Sequence, residues 1–386
     1  MRVIDSDGHF HEPHYLFDEF LDKAYWSRRP RVVKIQDHAL EEGRWLVDGL
    51  VVPRVPFSRG VGGGGFQYMA PRHKQMAMKD NSLDDMAGRL KDMELLGVDL
   101  QVVYPTAFPF VHDVEDKDLA TAICRAHNDY VAARCAKSSG KVRGVAMVAL
   151  QDVSGAVEEM RRAVKELKLV AVTIPGLVGN KPLHAPQYHP FFKAAAEFDC
   201  PIAFHAVTGM HYTPWADCYK DFFSTHVTAM PFSMMVALMS IIHMGVMEEF
   251  ANLRCAFLEI DGTWLHYWAR WVNKHVKDAK RVSGGHHLEA GWGESPYLLP
   301  AGSKDPMEYI QSGRFLSGYD EHEDLRYLID RLGARTFMYA SDYPHGDPSA
   351  TWNSKQGTVH MIKGMEGVSE ADKEKMSELV ITKTVY

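Results

Sequence analysis

Along the chain, stretches with apolar residues at helical spacing alternate with short apolar runs typical of strands. This pattern predicts alternating strands and helices. The first strand is a short β-branched run, Val3 and Ile4, that leads into a polar stretch. From Leu83 onward, apolar residues at helical spacing alternate with short, continuous apolar runs. The later strands are predicted at 99–105, 143–150, 169–174, 201–205, 254–259, 314–316 and 336–341. The helices are predicted at 83–96, 119–136, 153–167, 190–198, 228–250, 262–274, 323–332 and from Ser369, with 278–305 as a loop.

Eight strands separated by helices predict an α/β fold. Sequential βα units place the strands parallel to one another, and eight such units favour a closed (β/α)8 barrel, the TIM barrel, over an open sheet. The chain has 386 residues, and we interpret residues 1–386 as one barrel domain. No glycine fingerprint follows the first strand, which argues against a dinucleotide-binding sheet.

Residues 14–80 interrupt the alternation directly after the first strand. They contain a short helix predicted over 15–25 and two strand-like runs, 31–35 and 45–52, with a turn at Asp48-Gly49. We interpret this region as an N-terminal insertion that covers one end of the barrel. The sequence leaves two roles open for this insertion: a lid over the barrel or a passive surface flap.

Composition and charge exclude several classes of protein. The chain is 46% hydrophobic and 24% charged, with a net charge of −7 and no basic run, so a nucleic acid partner is not expected. No uncharged apolar stretch of about 18 residues occurs, and Asp5 and Asp7 interrupt the start, so neither a membrane span nor a signal peptide is predicted. The five cysteines have no CxxC spacing, which favours reduced thiols in a cytoplasmic protein.

The polar stretch after the first strand carries four residues of metal-ligand type. Asp5, Asp7, His9 and His11 are spaced by two, and in an extended chain this spacing places all four side chains on one face. Such a face predicts a metal centre of the kind found in hydrolases. A solvent-exposed polar N-terminus is the alternative interpretation.

Acids and histidines also follow three later strands. His205 ends the fifth strand, Glu259 ends the sixth, and Asp342 and His345 follow the eighth. Each alone has an ordinary interpretation as a buried histidine or a helix cap. In a barrel, however, all these strand ends meet at one rim, where unpaired buried charges are costly and a shared cation removes that cost. Mixed imidazole and carboxylate donors favour Zn, Mn or Fe(II) over Mg or Ca.

Several blocks of the sequence resemble the amidohydrolase superfamily, in the branch related to aminocarboxymuconate semialdehyde decarboxylase. The similarity runs from Ile4 to Tyr386 and includes DSDGHFHEP at 5–13, LKDMELLGVDLQVVYPT at 90–106 and FMYASDYPH at 337–345. The resemblance implies a small-molecule enzyme with one or two divalent metal ions per chain, and a homodimer. It implies that the metal is held by Asp7, His9, His205 and Asp342.

The sequence also departs from the family pattern at two positions. Asp7-x-His9 stands where classical members have His-x-His and where the benzoate-type decarboxylases have Glu-x-His. Those decarboxylases often carry a catalytic histidine at the end of strand six, and this chain has Glu259 there. The departure at Glu259 weakens a direct assignment as a decarboxylase.

Three functions remain open from the sequence. The first is a metal-dependent hydrolase or non-oxidative decarboxylase of a small carboxylated, cyclic substrate, with Glu259, His345 and Asp342 as catalytic residues. The second is a non-haem dinuclear iron monooxygenase, whose second metal site is formed by His11, Glu259 and His345. The third is a metal-bearing subunit of a hetero-oligomer. Two aromatic segments, 104–110 and 264–271, are candidates for an apolar pocket, although ordinary packing explains most of them.

Overall fold

Parallel strands drawn from the whole length of the chain form the centre of the molecule. The computed structural model describes residues 1–37, 40–52, 81–205, 218–219, 222–282, 304–319, 323–345 and 362–379. The strands are β1 (Ile4–Phe10), β2 (Arg31–Asp37), β3 (Leu40–Val47), β4 (Leu50–Val52), β5 (Leu100–Pro105), β6 (Val142–Gly144), β7 (Ala146–Met147), β8 (Val172–Ile174), β9 (Ile202–His205), β10 (Cys255–Leu258) and β11 (Phe315–Ser317). Two parallel sheets result, with strand orders β1-β5-β6 and β11-β10-β9-β8-β7.

Helices alternate with these strands. They are α1 (Leu16–Phe20), α2 (Met86–Leu96), α3 (Lys117–Cys135), α4 (Val153–Lys165), α5 (His189–Glu197), α6 (Phe222–Leu238), α7 (Val246–Glu249), α8 (Thr263–Val282), α9 (Pro306–Ile310), α10 (Leu325–Leu332) and α11 (Glu370–Glu378). Short 3-10 turns cover Lys23–Arg28, Phe108–Asp113, Ala136–Ser138, Pro186–Tyr188 and Ala334–Thr336, and a π-helical turn covers Met239–His243.

The two parallel sheets close into one barrel. Only Val145 separates β6 from β7, which joins the sheets on one side. On the other side, residues 337–341 lie between β11 and β1: Met338 N donates to Ser317 O at 3.0 Å, and Ser6 N donates to Tyr339 O at 2.8 Å. The predicted (β/α)8 barrel is therefore confirmed.

The eighth strand, predicted at 336–341, is reduced to a single bridge between Ser317 and Phe337. Part of its backbone hydrogen-bonds to a side chain and not to a neighbouring strand: Ser341 N donates to Asp5 Oδ1 at 2.9 Å. This exchange places Asp342 directly beside the first strand, where Asp342 N donates to Asp7 O at 2.8 Å.

Side chains of the barrel alternate between its interior and the helix layer. Ile4, Val102 and Tyr104 belong to a small apolar cluster inside the barrel, whereas Phe10 and Val103 pack in the larger cluster between strands and helices. Ile4 and Phe10 are six positions apart along β1 and still face opposite sides, which a regular strand does not allow. The chain must therefore change register between them.

A bulge in β1 makes that change. Between the pairs Asp5–Gln101 and Gly8–Val103, β1 advances by three residues and β5 by only two. One extra residue reverses the side-chain parity of everything after it. The bulge turns Asp7 and His9 into the barrel and leaves Asp5 on the outer side, so the prediction that Asp5, Asp7, His9 and His11 share one face is wrong for Asp5.

The segment between β1 and α2 forms a small antiparallel sheet of β2, β3 and β4. Asp48 and Gly49 connect β3 to β4 with φ angles of 48° and 84°, the left-handed geometry of a tight hairpin turn, as predicted. Trp45 packs edge-on against Phe17 of α1. Residues 53–80 lie outside the described residues, and the role of 14–80 as an insertion or lid stays a prediction.

Several predicted elements have different bounds, three of them for a local reason. The helix predicted at 228–250 begins earlier, at Phe222, and is divided into α6, the π-helical turn and α7; Gly245, with a φ of 86°, separates the π-helical turn from α7. Helix α8 runs on to Val282, so the loop prediction is wrong for 278–282, where no glycine or proline ends the helix. The strand predicted at 143–150 is divided into the two short strands on either side of Val145.

One helical stretch, Phe223–His243, has no Asp, Glu, Lys or Arg and is long and apolar enough to cross a membrane, with a mean hydropathy of 1.5, so the prediction that no such stretch occurs is wrong. Its most apolar window is 56% buried inside the barrel's helix layer, so the stretch is weak evidence for a membrane span. A core helix of this kind meets the same criterion. Four cysteines are buried and Cys218 is exposed, and all five are free thiols.

Candidate metal centre

Donor atoms of Asp7, His9 and His205 converge at the carboxyl end of the barrel, and Asp342 lies beside them. The Nε2 atoms of His9 and His205 are 3.2 Å apart. Asp7 Oδ1 lies 3.4 Å from His9 Nε2 and 3.5 Å from His205 Nε2. Asp342 Oδ1 lies 3.3 Å from His9 Nε2, and among the described residues it forms a ligand group with His9 and His345 rather than with Asp7 and His205. Three strand ends that are far apart in sequence thus lie side by side at one rim, and the assignment of all four residues to one metal ion stays a prediction.

The chemistry of this donor set fits a divalent cation. Donors held about 2.1 Å from one ion lie roughly 3.0–3.5 Å apart, which is the separation among Asp7 Oδ1, His9 Nε2 and His205 Nε2. Asp7 is 1% exposed, and its Oδ1 has no hydrogen-bond donor among the described residues. A buried carboxylate oxygen without a donor is costly unless a cation is shared with it.

Protonation at the centre also suits metal binding. Burial and the neighbouring His345 lower the pKa of His9 to about 3, so its imidazole is neutral and keeps a lone pair for a metal. Burial acts to raise the pKa of Asp7, but His205 and His9 outweigh it and hold that pKa well below its usual range. The centre therefore presents ionised carboxylate and neutral imidazole together.

Two acidic residues reach the centre from strained backbone. Glu259 follows β10 with a φ of 61°, and Asp342 has a φ of 58°. Left-handed backbone is uncommon for residues other than glycine, and it is concentrated at functional sites. Both carboxyl groups lie at the rim, next to His205 and His9 respectively.

Glu259 lies against both histidines that flank the donor set. Its Oε2 is 3.3 Å from His205 Nδ1 and its Oε1 is 3.9 Å from His345 Nδ1. Burial, helped by the negative charges of Asp342 and Asp7, raises the pKa of Glu259 to about 8. Glu259 is thus a carboxyl group that can hold a proton near neutral pH.

His345 is packed on one side of the donor set. Its ring stacks on that of His9 with centroids 4.0 Å apart, and its Nδ1 is 2.7 Å from Asp342 Oδ1. The opposite nitrogen, Nε2, lies 2.9 Å from Thr106 Oγ1. Among the described residues, His345 forms a second potential ligand group with His9 and Asp342.

His11 lies apart from both ligand groups. Its Nδ1 is 3.3 Å from Asn81 Nδ2, and its ring centroid is 5.8 Å from that of His345. The described residues do not bring His11, Glu259 and His345 together as a second set of ligand atoms. A second metal there stays a prediction without geometric support in this part of the chain.

A buried polar network beneath the centre was not anticipated from the sequence. Arg89 of α2 is 0% exposed and donates to His9 O and Gln101 Oε1, each at 2.7 Å. Gln101 Nε2 donates to Asp5 Oδ2 at 2.7 Å, and Ser341 Oγ donates to the same oxygen at 2.6 Å. The network ties the backbone of His9 to the residue before Asp342, so it holds two strands that carry ligands. The only sequence signal was a glutamine and an arginine within apolar patterns.

Tyr104 is a second feature near the centre. Its ring centroid is 5.5 Å from that of His205. Tyr104 is 1% exposed, and its hydroxyl has no hydrogen-bond partner among the described residues. Of the aromatic segments considered for a pocket, Tyr104 lies against the donor set, while Trp264 packs against Phe257 in the core.

Gly8 is the residue that lets the network and the bulge coexist. A Cβ at position 8 would lie 2.5 Å from Gln101 Nε2, which real Cβ atoms do not tolerate.

We expect Gly8→Ala to displace Gln101 from Asp5 and to weaken metal binding by about 10–100-fold, as for other losses of residues that orient metal ligands. A competition titration with a chromogenic chelator measures this. Gly364→Ala is the matched control because its Cβ meets no atom within 4 Å, and equal affinities for the two variants would contradict the prediction.

Comparison with known proteins decides the family. The family model described as Amidohydrolase matches residues 4–378, nearly the whole barrel. The chain belongs to this family. The predicted membership of the amidohydrolase superfamily, in its decarboxylase-related branch, is confirmed.

Several characterised members of the branch are similar to this amidohydrolase. A gamma-resorcylate decarboxylase from Rhodococcus jostii is 33% identical over 281 residues, covering 68% of this chain and 78% of that protein. A 2-amino-3-carboxymuconate-6-semialdehyde decarboxylase from Dictyostelium discoideum is 23% identical over 270 residues, covering 69% and 68%. The solved 5-carboxyvanillate decarboxylase of Novosphingobium aromaticivorans, complexed with manganese and a nitrobenzoic acid, has a TM-score of 0.67 at 19% identity, covering 98% and 94%.

These findings bear on the predicted class of protein. The chain is an enzyme of the metal-dependent hydrolase and carbon–carbon lyase class, as the sequence predicted. Nothing in the comparisons favours the dinuclear iron oxygenase or the subunit of a hetero-oligomer. The predicted divalent metal is consistent with the donor set and with the manganese in the similar structure.

Proposed function

We propose that this amidohydrolase is a non-oxidative decarboxylase of a small aromatic carboxylate. The observation that carries the proposal is the position of Glu259 and His345, two groups able to carry a proton, beside a buried set of metal donors. The names of the similar proteins, which act on gamma-resorcylate and 5-carboxyvanillate, support this substrate class.

The reaction class determines what the site must do. The bond between the ring carbon and the carboxylate breaks, its electron pair stays on the ring carbon, and that carbon takes up one proton as CO2 leaves. The site must therefore hold the carboxylate and supply one proton at the ring. No oxidant is needed, which separates this reaction from that of the oxygenase alternative.

The residues divide these tasks. We assign Asp7, His9, His205 and Asp342 to hold the cation, which when bound supplies positive charge for the oxygens of the substrate. Manganese, zinc and iron(II) all suit this donor set, and the similar structure favours manganese.

Glu259 and His345 are left to move the proton. A general acid works best when its pKa lies near the working pH, and the raised pKa of Glu259 meets that condition. We propose that Glu259 takes the place of the strand-six histidine of the benzoate-type decarboxylases, because it contacts both His205 and His345.

Turnover of defined acids tests the proposal. The protein is purified without chelator, its metal-to-chain ratio is measured, and it is incubated with gamma-resorcylate and with 5-carboxyvanillate. We expect CO2 release in equal amount to the decarboxylated phenol, dependent on one divalent ion per chain and abolished by chelation. Hydrolysis of ester or amide substrates without CO2 release would contradict the decarboxylase proposal. Two irons per chain, with oxygen uptake in the presence of a reductant, would favour the oxygenase.

We also propose a cytoplasmic homodimer. Reduced, mostly buried cysteines support the compartment. Exposed aromatic residues on neighbouring helices, Phe223 and Phe232 of α6 and Tyr267 and Trp271 of α8, support a partner surface. Light scattering of the purified protein measures the mass, and a monomer of 43.6 kDa would contradict the dimer.

A further inference from the structure

The side chain of Tyr104 reaches across the interior of the barrel beside the metal donors. Tyr104 of β5 is paired with His9 of β1. Its ring centroid lies 6.2 Å from that of His9 and 5.5 Å from that of His205 on β9. β1 and β9 are on opposite walls, because β5, β6 with β7, and β8 separate them on one side and β10, β11 and residues 337–341 on the other. The ring and the hydroxyl group at its tip therefore lie inside the barrel, next to the donors.

The hydroxyl group of Tyr104 has no hydrogen-bond partner among the described residues. Tyr104 is 1% exposed, so bulk solvent does not supply one. Every other buried member of the apolar cluster inside the barrel is an alanine, valine, leucine, isoleucine or methionine, which offers no polar side chain. A buried hydroxyl without a partner is costly, and nearly all such groups in folded proteins are satisfied. Two kinds of partner can enter the barrel: a ligand at the centre or an enclosed water molecule.

The surroundings of the hydroxyl favour an anionic ligand over an enclosed water. A buried water needs two to four polar partners, and the interior cluster offers no polar side chain besides Tyr104 itself. The neighbouring donors Asp7, His9 and His205 suit a cation, so an anionic oxygen is attracted to the same part of the barrel. A phenol keeps its proton at neutral pH and can donate it, and hydrogen bonds to a charged acceptor are about twice as strong as those to a neutral one.

We propose that the hydroxyl group of Tyr104 donates a hydrogen bond to a carboxylate oxygen of the substrate. That the anion is the carboxylate of a substrate rests on the proposed decarboxylase function, whereas the lack of a partner for the hydroxyl within the described chain does not. Tyr104 transfers no proton in this role and serves to bind the group that leaves as CO2. Because the carboxylate loses its negative charge as CO2 forms, the hydrogen bond is stronger in the bound substrate than in the transition state.

Two substitutions separate the position of this hydroxyl from the loss of any buried hydroxyl. Tyr104→Phe removes the hydroxyl and keeps the ring. Tyr319→Phe is the matched control, because Tyr319 is 4% exposed and its hydroxyl also has no hydrogen-bond partner among the described residues. Tyr319 packs in the layer between strands and helices, against Tyr339, and not among the metal donors.

The first measurement is urea unfolding of the metal-free proteins. We expect Tyr104→Phe to unfold at the same urea concentration as the wild type or a higher one, because a buried hydroxyl without a partner does not stabilise the fold. A lower midpoint, or a variant that does not fold, would show that the hydroxyl has a structural partner such as an enclosed water. Either result overturns the proposal without reference to the reaction.

The second measurement is a calorimetric titration of the metal-loaded proteins with benzoate, a simple aromatic carboxylate. We expect Tyr104→Phe to bind benzoate about 10–100-fold more weakly than the wild type, the usual loss when one hydrogen bond to a charged group is removed. Tyr319→Phe should change the affinity less than about twofold, and the metal-to-chain ratio should be equal in all three proteins. Equal affinities of Tyr104→Phe and the wild type, or a wild type that does not bind benzoate, overturn the proposal.

The third measurement is CO2 release by the metal-loaded proteins from gamma-resorcylate and from 5-carboxyvanillate. We expect Tyr104→Phe to raise KM by about 10–100-fold and to leave kcat within about threefold, because the lost hydrogen bond belongs to the bound substrate more than to the transition state. A lower kcat at unchanged KM would contradict this role. Absence of CO2 release from the wild type refutes the decarboxylase function, and the titration with benzoate still decides whether Tyr104 binds a carboxylate.

Discussion

Asp7→Asn is expected to abolish metal binding and to lower kcat/KM by about 10³-fold or more. The substitution keeps the shape of the side chain and replaces an ionised donor with a neutral amide, between His9 and His205. Charge stabilisation by a bound metal contributes several kcal/mol to a reaction of this class, and each 1.4 kcal/mol corresponds to about tenfold in rate. Elemental analysis and CO2 release from the purified variant measure the two effects.

The same substitution separates a functional site from a structural one. Asp7 Oδ1 is buried without a hydrogen-bond donor among the described residues, and the amide of asparagine can donate to an imidazole nitrogen. We therefore expect metal-free Asp7→Asn to unfold at the same temperature as the metal-free wild type or higher. Asp330→Asn on the exposed face of α10 is the control and should change neither metal content nor rate. An Asp7→Asn variant that retains one metal ion per chain would contradict the assignment of the ligand.

Strand ends were the part of the site that the sequence could predict. His205, Glu259 and Asp342 each stand at the end of a predicted strand that is recognisable by its apolar run, and barrel topology brings such ends to one rim. The prediction needed only local patterns and the rule that parallel strands share an edge. His9 Nε2 lies 3.3 Å from Asp342 Oδ1 and His205 Nδ1 lies 3.3 Å from Glu259 Oε2, so these strand ends lie at one rim, and their roles stay a prediction.

The bulge in β1 was the part that periodicity could not predict. A spacing of two predicts one face for Asp5, Asp7 and His9, and nothing local distinguishes a regular strand from one with an extra residue. The bulge is determined by pairing with β5, a contact across almost a hundred residues of sequence. Gly8 was the available signal, since glycine within a strand often marks a bulge or a close approach.

The network beneath the centre escaped prediction for a related reason. Arg89 lies at a position that helical periodicity assigns to the core, and Gln101 lies within an otherwise apolar strand. Pattern reasoning treats such polar residues as exceptions, because their partners are on other elements. Only the assembled barrel shows that Arg89, Gln101 and Asp5 satisfy one another.

Arg89→Met is expected to lower the free energy of unfolding by about 3–5 kcal/mol. Arg89 is completely buried, and its loss removes a donor from both Gln101 Oε1 and His9 O and removes a positive charge that interacts with Asp5. Removing one partner of a buried charged network typically costs this amount, whereas a surface ion pair contributes less than about 1 kcal/mol. Urea unfolding of the metal-free protein measures the loss. Arg161→Met, at an exposed ion pair with Glu166, is the matched control.

The double variant Arg89→Met with Asp5→Asn tests whether the cost arises from the network. If Arg89 stabilises the buried carboxyl group of Asp5, replacing that group with a neutral amide should recover part of the loss, with a coupling energy of about 0.5–3 kcal/mol. Metal affinity should also fall about 10–100-fold in Arg89→Met, because Arg89 binds the backbone of His9. A loss as small as that of Arg161→Met, or strict additivity with Asp5→Asn, would show that the barrel holds its metal ligands without this network.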